Sequence, residues 1–359
     1  MIKLIKPYIS FNEVEEEFRD IFSSGWFSRG EFVQKFREEI ANYTNAKYSH
    51  LTTSATTALT ISLKALDIKC GDEVIVSDFS FPATSNVVED LGAIPIFADV
   101  SKETYNMLPD ELERKITPKT KAVIFVDTLG NPTGLHTIRD ICKRYSIPLI
   151  EDGACALGSS EDGEMCGEIS DITCFSFHPR KLLTTGEGGA ITFNSDRFAR
   201  FFDIKLNHGA EVKNGKFEFI DFGYNFRLSE LQAVMGIVQI KKLDSIVESR
   251  NRIRDEYMER LEPLGFIAQK RGDDVIHNVQ SLVFRVPDYL DRDGVINLLR
   301  ENGVETTLGT YALSATAYNR RRYNQIQPNS LYLQENTITF PCYEEVDIEY
   351  IVDTIKRYI

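Results

Sequence analysis

A lysine set among apolar residues is a candidate nucleophile. The chain carries one in the stretch Phe175-Ser-Phe-His-Pro-Arg-Lys-Leu-Leu-Thr-Thr-Gly-Glu-Gly-Gly-Ala190. An apolar run ends near Phe177, Lys181 follows, and a glycine-rich loop comes next. Burial disfavours the charged form of an amine, and a neutral amine attacks a carbonyl carbon to give a Schiff base. Taken alone, a lysine is more often a surface residue in a polar loop.

The second candidate is Asp152, in Leu149-Ile-Glu-Asp-Gly-Ala154. It stands just past the C-terminal end of a predicted parallel strand, the edge where open α/β sheets bind ligands. A carboxylate there can pair with a protonated pyridine nitrogen, as pyridoxal phosphate chemistry requires. A turn or helix-cap aspartate is the plainer reading. The third candidate is Thr53-Ser-Ala-Thr-Thr57, directly before a predicted helix. Free N–H groups at a helix start bind phosphate, and Ser54 and Thr56 add hydroxyls; ordinary N-capping fits equally. In Ser77-Asp-Phe-Ser-Phe-Pro-Ala-Thr84, Phe81 can cover a planar ring or pack in a core.

These residues need a frame. Thr56 to Leu66 reads as a helix, with Leu59, Leu63 and Leu66 on one face. Val74–Val76, Ile94–Ala98, Ala122–Val126, Pro148–Ile150, Ile172–Phe177 and Ala190–Phe193 read as strands, and Thr137–Tyr145 as a helix between two of them. Unbroken apolar runs such as Ala122-Val-Ile-Phe-Val126 are what central parallel strands require. The βαβ rhythm predicts an α/β fold, a mostly parallel sheet with helices on both faces. From Leu228 to Val247 one long helix is predicted, linking this layer to a second. Beyond it, Val279–Val286 and Thr337–Phe340 read as strands. Asp291–Asn302, ended by Gly303, and a segment through Ile348, Ile351, Val352 and Ile355 read as helices. The expected division is a large domain over 1–242 and a small α+β domain over 243–359.

The chain has 359 residues, 41 of them basic and 54 acidic, for a net charge of −13. An acidic protein repels phosphate backbones, so nucleic-acid binding is not expected. No run of eighteen apolar residues occurs, so no membrane span is expected; the opening Met1-Ile-Lys-Leu-Ile-Lys-Pro7 does not read as a secretory signal. The 6 cysteines include no CxxC pair, so neither a metal site nor a redox motif is indicated. Scattered free thiols fit a reducing cytoplasm.

Taken in order, the phosphate cradle, aromatic, aspartate, serine, lysine and glycine loop resemble the nucleotide-sugar aminotransferases of the DegT/StrS type, within fold-type I of the pyridoxal phosphate enzymes. The motif Ser-Phe-His-x-x-Lys-x-x-Thr-Thr-Gly-Glu-Gly-Gly carries most of the resemblance. Glu151-Asp152 and Gly223-Tyr-Asn-Phe-Arg-Leu-Ser-Glu-Leu-Gln232 add to it. The resemblance runs from about Gly25 to Lys242, and more loosely to the C-terminus. It implies a fold-type I architecture and pyridoxal 5'-phosphate as cofactor. By position, Lys181 is the Schiff-base lysine and Asp152 the partner of the pyridine nitrogen. Phe81 stacks on the ring, Ala55 and Thr56 hold the phosphate through their amides, and Ser176 binds it too. Asn225 is lent to the phosphate by a neighbouring subunit, which implies a homodimer with shared active sites. Cys155 takes the place of a cofactor-contacting glutamine, and Ala55 that of a frequent glycine. Gly309-Thr-Tyr-Ala-Leu-Ser-Ala-Thr-Ala-Tyr318 departs from the proline- and histidine-containing substrate segment of many relatives.

The implied reaction takes an amino group, from glutamate as donor, to a nucleotide-linked keto-sugar for amino-sugar biosynthesis. Two alternatives stand beside it. Sugar dehydratases of the family carry histidine at the position of Lys181, which argues against dehydration here. A non-catalytic cofactor-binding regulator is the other; the acidic charge weighs against a DNA regulator. His178 reads as structural or cofactor-touching, and His208 as a turn residue or site lining. Arg320-Arg-Arg322 reads as a solvated turn or a diphosphate contact. Arg227 reads as a carboxylate ligand or an interface ion pair.

Overall fold

The computed structural model describes residues 1–359. The central sheet has seven strands: β1 (Tyr48–Thr52), β2 (Glu73–Ser77), β3 (Ile94–Ala98), β4 (Thr120–Val126), β5 (Leu149–Asp152), β6 (Ile172–Ser176) and β7 (Gly189–Phe193). Their order is β1-β7-β6-β5-β4-β2-β3. The pairs β6/β5, β5/β4, β4/β2 and β2/β3 are parallel; β7 runs antiparallel between β1 and β6. The strands predicted from apolar runs all form. Val123, Ile124 and Phe125 in β4 are fully buried, because helices cover both faces of a parallel sheet.

Val74, Val76, Ile124 and Ile150 point to one face, packed on the helix Ala55–Ala65. Ile75, Val123, Phe125 and Leu149 point to the other, packed on the helix Leu135–Tyr145. The two-residue alternation of a strand thus fixes which face each residue serves. The same alternation sends Asp152 and its neighbour Glu151 to opposite faces. No helix is long and apolar enough to cross a membrane.

The second layer is a four-stranded antiparallel sheet, in the order Ile267–Ala268, Leu282–Arg285, Thr337–Phe340, Thr307–Leu308. Helices Leu243–Leu261, Arg292–Glu301 and Ile348–Lys356 bury Tyr257, Leu299 and Ile351 with this sheet. Gly303 ends its helix in the left-handed conformation, φ 74°, as its position after Asn302 predicts.

Two expectations need correction. The single helix over Leu228–Val247 is two helices, Glu230–Ile240 and Leu243–Leu261. Lys242 leaves helical geometry at φ −114°, ψ 8°. Its N–H bonds the Gln239 carbonyl three residues back, so the chain turns and sends its apolar face toward the second sheet. Periodicity survived the break because both helices are amphipathic. The strand over Val279–Val286 is confined to Leu282–Arg285. Val279 sits at φ 52°, and the carbonyls of Val279 and Gln280 accept from the buried Arg250 guanidinium at 2.7 and 3.0 Å. That side chain satisfies carbonyls that a neighbouring strand would otherwise need to reach.

The helices Glu15–Ser24 and Glu31–Tyr43 were not drawn from the sequence. Phe36 and Ile40, both fully buried, carry the i, i+4 signal that marks the second of them.

Candidate active site

Parallel strands end together, so the loops that follow them meet at one edge. Asp152 is the last residue of β5 and is buried. Its Oδ2 accepts from the Thr84 hydroxyl at 2.7 Å, and its Oδ1 from the Ala154 amide at 3.3 Å. The Ser80 hydroxyl in turn meets Thr84 at 2.8 Å. Burial pushes the Asp152 carboxyl above the ordinary aspartate range; the Thr84 hydroxyl, the Ala154 amide and the Lys181 charge pull it back down. Lys181 follows β6 by one short turn, its N–H bonded to the His178 carbonyl at 2.8 Å. Its Nζ lies 3.0 Å from the Cys155 Sγ. Asp152 at the end of β5, Cys155 just after it and Lys181 just after β6 therefore meet at one sheet edge.

Thr84 carries no motif of its own in the sequence, although it stands four residues after Ser80 at a helix start. Replacing it with valine keeps the shape and removes the hydroxyl. The Thr84→Val protein should have an Asp152 carboxyl raised further, and a turnover lower by roughly tenfold, equivalent to one lost bond to a charge at about 1.5 kcal/mol. Steady-state rates of the two proteins at fixed pH test this.

The helix Ala55–Ala65 starts against the same edge. Ser54 caps it, accepting from the Thr57 amide at 3.2 Å, so the capping reading of Ser54 holds. The amides of Ala55 and Thr56 lie in the first turn, where no carbonyl precedes them to bond. Gly189 makes this approach possible: a Cβ there would lie 2.6 Å from the Ser54 carbonyl carbon and 2.7 Å from the Ala55 nitrogen. Ser176 is the register partner of Gly189, which sets it beside the same helix start. The loop after Lys181 is clamped by buried Gln239, whose Oε1 accepts from the Thr184 amide at 3.1 Å and whose Nε2 donates to the Thr184 carbonyl at 2.6 Å.

Phe81 is not core: it is 65% exposed, and its ring stands 6.3 Å from that of Tyr311. Tyr311-Ala312 pairs antiparallel with Phe79-Ser80, so the segment that departs from relatives forms a wall beside Phe81. Asp78 ties this wall down, accepting from the Ser314 amide at 2.7 Å and hydroxyl at 2.8 Å. Burial pushes the Asp78 carboxyl up to about 7. A carboxyl raised on folding contributes stability that is present at low pH and lost as pH rises through the folded value. Relative to Asp78→Asn, the native protein should therefore lose stability between about pH 4 and 7, measurable by denaturant unfolding of both proteins across that range.

On the opposite face from Asp152, three more buried groups converge. One ligand-type atom each from Asp127, Glu151 and Cys166 lies within 4.8 Å of the others. Glu151 accepts from the Thr173 hydroxyl at 2.7 Å, while neither Asp127 oxygen meets a donor. Burial first, and the Glu151 charge second, hold the Asp127 carboxyl well above its ordinary range. The Asp127 amide donates to the Asp152 carbonyl at 3.3 Å, so the pair sits directly behind the strand tip that carries Asp152.

Other candidates fall elsewhere. Asn225 is exposed and makes no hydrogen bond within the chain, in an irregular stretch where Tyr224 and Phe226 stack at 4.7 Å. His178 is neither buried nor free: its Nδ1 accepts from the Arg180 amide at 3.2 Å. His208 is an exposed turn residue at φ 58°. Arg320, Arg321 and Arg322 are exposed in the last turn of a short helix, with Arg322 3.1 Å from Glu89. Arg227 forms no ion pair in the chain, and its Nη1 is buried without a partner.

Comparisons with known proteins show the family. A model of the DegT/DnrJ/EryC1/StrS aminotransferase family matches residues 9–356. GDP-perosamine synthase of Vibrio cholerae is 31% identical over 309 residues, covering 85% of this chain and 84% of that protein. The aminotransferase TlmJ from Streptoalloteichus hindustanus superposes with a TM-score of 0.93 at 27% identity, over 99% of this chain and 98% of that one. Spr1654 of Streptococcus pneumoniae, assigned as a sugar aminotransferase and solved in its PMP form, gives a TM-score of 0.90 at 27% identity, over 99% and 98% of the two chains. With the strand order, the lysine and aspartate at one sheet edge and a match along almost its whole length, this chain belongs to the DegT/DnrJ/EryC1/StrS aminotransferase family.

Proposed function

We propose that the chain uses pyridoxal 5'-phosphate to move an amino group from L-glutamate to a nucleotide-linked keto-sugar. The observation that carries this reading is the approach of Lys181 and Asp152 at one sheet edge, beside a helix start with unpaired amides. The GDP-linked sugar in the name of the Vibrio cholerae relative supports the substrate class, and the PMP form of Spr1654 supports the cofactor.

The residues fit that cofactor. The Gly189 passage leaves the Ala55 and Thr56 amides open to a phosphate, with Ser176 beside them. Asp152 is a buried carboxylate whose burial favours a cationic partner such as a protonated ring nitrogen. Phe81 offers an exposed aromatic face to a ring. When bound, pyridoxal phosphate supplies an electron-withdrawing ring that stabilises a carbanion. Asp152 keeps a proton on the ring nitrogen, and Thr84 holds Asp152 in place. Lys181 Nζ takes a proton from the substrate carbon and returns it on the other side of the transfer. Cys155 stands beside that amine in the role of the usual glutamine. Residues 1–242 supply these groups, and residues 243–359 form the domain that meets them through Tyr311.

The same reading makes the enzyme a homodimer in which Asn225 completes the partner's phosphate site. The exposed aromatics Trp26, Phe217, Phe219 and Phe222 support a face covered by a second copy. Lys181→Ala and Asn225→Ala proteins should each be nearly inactive. Unfolded and refolded together, they should regain about a quarter of native activity, since half the dimers carry one intact site of two. No recovery in mixed dimers would remove the shared site. For the reaction itself, glutamate alone should yield at most one 2-oxoglutarate per site, and glutamate with a panel of nucleotide-linked keto-sugars should exceed that only when an acceptor sugar is present. Absence of product across the panel, with glutamate converting no cofactor, contradicts the reading.

A further inference from the structure

The geometry points to a reversible oxidative lock at this site: a hydroperoxide joins the Cys155 sulfur to the Lys181 nitrogen through a covalent S–N bond. The inference starts from contact. Sγ and Nζ lie 3.0 Å apart, and both backbones are anchored. The Cys155 carbonyl accepts from buried Asn278 Nδ2 at 2.8 Å, and the Leu182 amide donates to buried Gln280 Oε1 at 2.9 Å. The lysine stem is flexible enough to close the remaining gap.

Access singles out the same thiol. Cys142, Cys166, Cys174 and Cys342 are buried. Burial pushes Cys142 up to about 12 and the other three above the ordinary thiol range, so they react slowly with oxidants. Cys155 is half-buried and Cys70 exposed. Only Cys155 hydrogen-bonds an amine: Lys69, the neighbour of Cys70, is instead 2.6 Å from Asp67.

The chemistry balances with one named co-reactant. The Cys155 sulfur attacks the peroxide O–O bond and loses its proton, giving the sulfenic acid and water when the oxidant is hydrogen peroxide. Sulfur is oxidised by two electrons, and the peroxide is reduced. The free Lys181 amine then attacks that sulfur. The S–N bond forms, the S–O bond breaks, and the departing hydroxide leaves as water with one amine proton. Sulfenic acids condense with a backbone nitrogen to give the same S–N linkage. Two equivalents of a small thiol reverse the bond, restoring thiol and amine and leaving a disulfide of the reductant. The bond removes the one nitrogen that the proposed reaction needs; this consequence, and not the bond, rests on the functional reading.

The test treats the cofactor-loaded protein with hydrogen peroxide, with and without glutamate, alkylates free thiols, and analyses a non-reducing digest at neutral pH by mass spectrometry. A peptide containing Cys155 joined to one containing Lys181, lighter by two hydrogens than the pair and split by dithiothreitol, is the expected result. Glutamate should raise its yield by freeing the amine. Cys70 should oxidise without joining, and Lys181→Arg should leave Cys155 as its oxygen acids. Recovery of Cys155 only as thiol or oxygen acids, with Lys181 always in a separate peptide, overturns the lock even in a protein that transfers amino groups. A joined peptide whose yield ignores glutamate upholds the bond and counts against the functional reading alone.

Discussion

Lys181→Ala is expected to lose amino transfer by at least about 10⁴-fold, because one nitrogen serves as both nucleophile and proton carrier. No nearby group can replace it. Cys155 is the one side chain that Lys181 Nζ bonds, and a thiol cannot form a Schiff base. His178 lies three residues away, but its Nδ1 accepts from a backbone amide and its Nε2 faces Glu187 at 4.0 Å. The fold should barely notice the change. Lys181 is only half-buried, and the backbone bonds of its turn do not use the side chain. Thermal unfolding within a few degrees of the native protein, together with lost turnover, separates a missing reactive group from a damaged structure. A variant retaining a tenth of native activity would count heavily against the assignment.

Asp152→Asn should cost about 3–5 kcal/mol of transition-state stabilisation, the range for breaking a buried charge pair, or roughly 10²–10⁴-fold in turnover. Asparagine keeps the size of the side chain and an oxygen for the Thr84 hydroxyl. It removes only the charge that holds a proton on a ring nitrogen. The loss should therefore exceed that of Thr84→Val by at least about tenfold, since Thr84 contributes one bond and Asp152 the charge itself. Equal losses in the two variants would mean that Asp152 is chiefly structural. The cofactor should also dissociate more readily from Asp152→Asn, measurable as absorbance lost on gel filtration.

Lys181 and Asp152 could be read from sequence because strand, aspartate and glycine loop stand close along the chain. Their contacts could not. Thr84 reaches Asp152 across 68 residues; Cys155 was a site candidate by resemblance, but its contact with Lys181 across 26 residues was not, because hydroxyl and thiol contacts at such separations leave no local spacing. The carboxyl pair of Asp127 and Glu151 was hidden for the same reason. Asp127 follows β4 and Glu151 lies within β5, strands whose patterns read as ordinary, and only the parallel register brings the two together. The helix break at Lys242 escaped because the apolar period on both sides stays near that of a helix. Val279 failed as a strand residue because β-branching argues for extension, whereas the Arg250 guanidinium fixes those carbonyls in a turn. The role proposed for Asn225 rests on resemblance alone; the residue is exposed in the single chain, so no contact within the chain marks it.

The central claim is that Lys181, and no other side chain, carries the cofactor. Reducing the cofactor-loaded protein with borohydride, digesting it and sequencing the modified peptide by mass spectrometry tests this directly. The account predicts one pyridoxyl group per chain, on Lys181 Nζ. A group fixed on a different lysine, or a protein that transaminates with Lys181 left unmodified, would contradict it.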